Sequence, residues 1–197
     1  MTMTGSETGR PQPRGFHIMM PPGWVRYMID AEGKRALVAQ ASARMRELSR
    51  PDLDAQARTM IESYWRTLTS QRISAIYLPT DSATGAPAPL SIAVKQHMAP
   101  DGSSFEESLP TLANATIERF DTQIGVVLRW QKDSRGEGEL DGVRSRQVGY
   151  GFPLPFEGDR RGMVFLSSIA YVDDTDPTTL ALLTETSDTI METFRWR

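Results

Sequence analysis

Few residues in this chain are of types that carry chemistry, and their spacing gives them little to act with. Histidine occurs twice, as His17 and His97. Each sits in an alternating apolar pattern, and neither has a neighbouring carboxylate in sequence to orient its ring as a general base. Both read as structural histidines. Cysteine is absent, which removes a thiolate nucleophile, a disulfide framework, a cysteine zinc site and a lipid-bearing N-terminal cysteine. The run Asp173-Asp174-Thr175-Asp176 is too compact for a calcium loop, which spaces its ligands and closes on a bidentate acid further on. It reads as helix capping instead. Glu106-Glu107 and Glu118 with Asp121 are residue types that can share acid and base roles in hydrolysis, but solvating a surface is their commoner use. Gly136-Glu137-Gly138 falls in a hairpin turn, not between a strand and a helix, so no phosphate cradle is expected. The expectation is no catalytic residue, no metal ligand and no cofactor.

What remains is contact chemistry. Arg144 and Arg146 share one strand face with Val148 and Tyr150, and Arg129 falls on a neighbouring strand facing the same way. Such a stripe suits an acidic partner or a nucleic-acid backbone, yet Glu137, Glu139 and Asp141 lie close enough in the hairpin to neutralise it across the strands. The next segment, Phe152-Pro153-Leu154-Pro155-Phe156, is as apolar as a central strand. Its two prolines remove ladder donors, so it is expected to leave the sheet. Either a partner covers it or it plugs the core. The sequence-based expectation is an outward protein-binding surface at Phe152, Pro153, Leu154 and Phe156, flanked by Arg144 and Arg146.

Length and charge bound the rest. A chain of 197 residues is one domain long. Its net charge of -3, with 19 arginines against 3 lysines, lacks the basic excess of a polyanion binder, so no nucleic-acid partner is expected. No stretch approaches the ~20 apolar residues of a membrane span, and no signal-peptide core is visible, which makes a cytoplasmic protein the expectation. Residues 1–14 are rich in Thr, Ser, Gly, Pro, Glu and Arg and read as a disordered tail; 15–197 read as a single domain.

The elements that must position these residues follow from periodicity. Phe16, Ile18 and Met20 alternate, Pro22-Gly23 supplies a turn, and Trp24 opens a second strand as a buried anchor. Helices are expected from Ala31 to Leu48, capped by Asp30, and from a Ser49-Arg50-Pro51-Asp52 start to Gln71. The second carries the stripe Leu53, Ala57, Met60, Ile61, Tyr64, Trp65 and Leu68. Strands follow at 73–78 and 89–98, then a capping box at Ser104 with Glu107 opening a short helix. A meander over 124–131, 143–152 and 162–172 leads to a closing helix begun by Asp176-Pro177. This order implies α+β: an antiparallel sheet of about six strands with helices packed on it and a long C-terminal helix.

The opening Phe16-His17-Ile18-Met19-Met20-Pro21-Pro22-Gly23-Trp24, the meander and the closing Thr193-Phe194-Arg195 together resemble the PsbP-like/Mog-type fold. Members of that fold are mostly non-enzymatic partners of larger assemblies, including photosystem and small-GTPase accessory proteins, and several bacterial ones are lipoproteins or secretion-associated. The resemblance therefore implies an accessory or adaptor protein with a protein partner. The chain departs from it in lacking a lipidation cysteine and in carrying two consecutive helices after the first strand. The second departure also suits a START-like helix-grip protein holding an apolar small molecule, although the helix at Ser104 has no place there. An internal cavity of several hundred Å³ between sheet and long helix would favour the cup, and a solid interior with an outer apolar patch the adaptor.

Overall fold

The computed structural model describes residues 13–80, 87–136, 142–156 and 158–197. Most of the tail, part of the 80–87 connection, and Glu137, Glu139 and Asp141 lie outside them. The elements run β1 (Phe16–His17), β2 (Trp24–Met28), α1 (Ala31–Glu47), α2 (Pro51–Ser70), β3 (Ala75–Pro79), β4 (Leu90–Met98), α3 (Phe105–Ala113), β5 (Glu118–Thr122), β6 (Gly125–Arg135), β7 (Val143–Pro153), β8 (Arg161–Val172), α4 (Pro177–Glu192) and β9 (Arg195–Trp196). Seven strands form one antiparallel sheet in the order β2-β3-β4-β8-β7-β6-β5, and β1 pairs with β9 in a separate two-stranded ribbon. The α+β class with a terminal helix is as the sequence implies.

Period-two alternation gives the sheet two faces, and both are covered in part. On one face, Ile92 and Val94 of β4, Phe165 of β8 and Tyr150 and Phe152 of β7 meet Ile190 and Met191 of α4 and Phe194 just beyond it. Phe152 stacks on Phe194 at 3.9 Å between centroids, and Phe165 meets both edge-on at 5.7 and 5.8 Å. Phe16 joins this cluster, 5.1 Å from Phe165 and 6.0 Å from Phe194, so the opening and closing motifs of the chain pack on each other. Burial of each such ring stabilises by roughly 1.5–3 kcal/mol before entropy. On the other face, α3 sets Phe105 and Leu109 against Leu128, Trp130 and Val164. Alongside it, α2 sets Trp65 and Leu68 against Tyr27, Ile73 and Ile76.

Several local readings are corrected. Strand β1 stops at His17, since its only ladder is the short one with β9. The turn has Gly23 at φ +79°, and Trp24 is only half-buried because β2 is an edge strand. Ser49 does not cap α2: it lies at φ +54°, and Arg50 takes the cap position, its side chain bonding Asp52 and not the helix amides. The α2 stripe is wider than the face it buries, leaving Met60 at 61% and Tyr64 at 47% exposure. The capping box at Ser104 and Glu107 forms with both bonds present, and Asp176 caps α4. Glu118 and Asp121 belong to a strand, β5, that the sequence reading passed over because all of its residues face water.

Candidate functional site

Helix α4 lies over β7 and β8 and stops short of the β5-β6 hairpin at the edge of the sheet. The register sets Glu118 opposite Arg129 and Phe120 opposite Val127, so these four side chains share the face that α4 borders. The result is a cleft of about 520 Å³, with Phe120, Ile124 and Val127 on one wall and Met191 of α4 on the other. Its size falls in the range of small-molecule sites, roughly 300–1,000 Å³. Phe120 is 45% exposed, an apolar ring offered to the opening of the cleft.

A polar cluster closes the inner end. Arg129 donates to Asp188 through Nε at 2.8 Å and through a terminal nitrogen at 3.1 Å, a two-pronged pair. The Tyr150 hydroxyl donates to Asp188 Oδ1 at 2.7 Å and lies 3.0 Å from Ser187 Oγ. Ser187 in turn bonds Ser167 of β8, and both serines are fully buried. Burial pushes the Tyr150 phenol far above its ordinary range, and the adjacent Asp188 carboxylate adds to this. Burial opposes the Arg129 guanidinium, but its bond and charge interaction with Asp188 outweigh that, and its pKa is raised. The cluster therefore holds a neutral phenol and a closed ion pair, with each strong group already partnered. Glu118 lies 3.9 Å from Arg129 across the β5-β6 ladder. Arg195 is tied to the carbonyls of Glu192 and Phe194.

The sequence places Arg129 and Tyr150 on one face but gives Asp188 no role. The available signal was Ser187 on the apolar stripe of α4: a serine at a core position implies a polar partner opposite.

The expected protein-binding residues are dispersed. Phe152 is 2% exposed and belongs to the aromatic core, so it is not part of an outward surface. Pro153 remains in β7, paired with Gly162 within the sheet, and the chain leaves β8 only after Leu154, whose N–H still donates to Arg161 O at 3.0 Å. Arg146 pairs with Asp133 at 2.9 and 3.0 Å, and its bond holds the Asp133 carboxyl below the usual range. Arg144 pairs with Asp173. Neutralisation across the stripe thus comes from Asp133, which is in β6 and not in the turn, and from Asp173 beyond β8. Leu154 and Phe156 are half-buried and line a second groove of about 340 Å³ with Ile124 and Trp196. His97 bonds Ser108 Oγ at 2.8 Å; since Ser108 donates to Phe105 O, the His97 Nε2 is the donor. Among the described residues no three His, Asp or Glu side chains gather as a metal set, and no helix is long and apolar enough to cross a membrane.

No protein-family model matches the chain, and no curated protein matches it. Among solved structures it is similar to the crystal structure of LpqN, involved in cell envelope biogenesis of Mycobacterium tuberculosis, at 10% identity and a TM-score of 0.46, covering 95% of this chain and 86% of that one.

Proposed function

We propose that this protein is a non-catalytic binding module whose ligand is an amphipathic small molecule held between α4 and the β5-β6 hairpin. The observation that supports this is the cleft of about 520 Å³ bordered by the sheet and the terminal helix, which opens to solvent and so is a surface cleft of ligand size where a helix-grip cup would have an internal cavity. Its walls are apolar, and its inner end is a saturated Tyr150-Asp188-Arg129 cluster that offers neither a nucleophile nor a general base. Three carboxylates, Glu118, Asp188 and Glu192, line the cleft against two guanidiniums, Arg129 and Arg195, of which Arg195 bonds only backbone carbonyls. Carboxylates accept hydrogen bonds, and with acids in excess the polar end that suits the cleft is a donor, an amine or hydroxyl. The PsbP-like/Mog-type resemblance, which rests on the Phe16 to Trp24 opening and the closing helix with Thr193-Phe194-Arg195, belongs to the same proposal as a statement about the scaffold.

A second reading, an adaptor for a protein partner, draws on the groove at Leu154, Phe156 and Trp196. The two separate with N-phenyl-1-naphthylamine, a neutral apolar fluorophore carrying an N–H donor. Saturable 1:1 enhancement that is lost in Val127→Trp and kept in Phe156→Ala supports the cleft. Enhancement lost in Phe156→Ala and kept in Val127→Trp moves the site to the groove, and no saturable enhancement overturns small-molecule binding.

A further inference from the structure

The sheet face opposite the cleft has a gap between α2 and α3, with a hollow of about 210 Å³. Its floor crosses four strands: Lys95 of β4, Val164 and Leu166 of β8, Gln147 of β7, and Trp130 and Lys132 of β6. Gln147 stands opposite Lys132 in the ladder, and Trp130 opposite Gly149. A Cβ at Gly149 would lie 1.9 Å from the Trp130 ring, so the missing side chain is what allows the indole to lie flat across β7 and form part of that floor. Gln71, at the end of α2, and Leu112 and Ala113, at the end of α3, complete the rim.

The chemistry of the lining is one-sided. Two of the chain's three lysines are here, with two side-chain amides, and among the described residues no aspartate or glutamate lines the hollow. Lys132 donates to Ala113 O at 3.1 Å and so finishes the α3 C-terminus. Lys95 has no acceptor among the described residues, and burial alone lowers its pKa, with no carboxylate to counter it. Its charge reaches His97, whose pKa is lowered first by burial and then by Lys95. Trp130 is 1% exposed, and its Nε1 has no acceptor among the described residues. Of these donors the Trp130 Nε1 is the fully buried one, and a buried donor without an acceptor is costly, whereas Lys95 is half-buried and faces the hollow with its charge unpaired among the described residues.

We propose that this hollow binds a small oxyanion, a phosphate or carboxylate group, held by Lys95, Lys132 and Gln147 beside the Trp130 indole. Such a group supplies acceptors to a lining that has donors in excess, and about 210 Å³ accommodates a phosphate or a short acid. The site is independent of the α4 cleft, which lies on the other face, so either stands if the other fails.

The test follows the indole N–H resonances by NMR while sodium phosphate is added at fixed ionic strength, chloride being the balancing anion. Parallel titrations with methyl phosphate and succinate distinguish free phosphate, a phosphate ester and a carboxylate as the source of the group. The expected result is a saturable shift of the Trp130 indole with at least one of the three. Affinity falls about tenfold or more in Lys95→Gln, as loss of a charge-assisted bond requires, recovers in Lys95→Arg, and is unchanged in Lys34→Gln, whose lysine pairs with Glu62 elsewhere. A shift that never saturates with any of the three, or equal affinity in Lys95→Gln, overturns the proposal.

Discussion

Tyr150 shows how a single side chain ties sheet to helix. Its hydroxyl reaches Asp188 and Ser187 of α4 from the middle of β7, and removing it leaves the buried Ser187 and a partly buried carboxylate each one partner short. Tyr150→Phe should cost about 1–2 kcal/mol in chemical denaturation; a change within a few tenths would show the network to be idle. Gly149→Ala is a sharper case, because the added methyl would overlap the Trp130 ring. Overpacking of this kind costs roughly 1–3 kcal/mol, and the same variant should broaden or shift the Trp130 indole resonance. His97 sets a pH dependence. Burial and then the Lys95 charge hold its pKa below the ordinary 6.5, so the unfolded chain takes up a proton before the folded one does. The stability it contributes is full above the unfolded value and is lost as pH falls through that value toward the lower folded pKa. Unfolding curves at about pH 7.5 and about pH 5.5 should show a larger loss in wild type than in His97→Gln; equal losses would contradict the assignment.

At the scale of elements, what the sequence made legible depended on whether burial left a periodic trace. α4 announced itself through Asp176-Pro177 and the stripe from Leu180 to Met191, and α3 through its capping box. β5 left no trace, because an edge strand exposed along its whole length has no apolar period to read. That omission hid the cleft, since β5 supplies Phe120 and Glu118 to it. The α2 stripe misled in the opposite sense: seven apolar positions were legible, but only Trp65 and Leu68 are buried. This difference is measurable. Phe194→Ala, at the centre of the aromatic cluster, should cost about 3–5 kcal/mol, while Met60→Ala, 61% exposed, should stay within about 0.5 kcal/mol. Comparable losses would mean that α2 is covered in solution.

At the scale of the molecule, one antiparallel sheet carries different chemistry on its two faces. Alternation along β6 and β7 sends Arg129 and Tyr150 toward α4, and Trp130, Lys132 and Gln147 toward α2 and α3. The class and the order of elements were readable because they depend on local period and turn chemistry. The sites were not, because they depend on which strands become neighbours: Arg129 and Asp188 meet across 59 residues of chain. The phenylalanine expected to face a partner, Phe152, instead fills the core against Phe194, and the arginines beside it close onto Asp133 and Asp173. The account stands on the cleft. Amide chemical-shift mapping with N-phenyl-1-naphthylamine locates the ligand directly: saturable shifts at Phe120 to Arg129 and at Asp188 to Glu192, with Leu154 and Phe156 unmoved, are the predicted result. Shifts centred on Leu154, Phe156 and Trp196, or none that saturate, would contradict it.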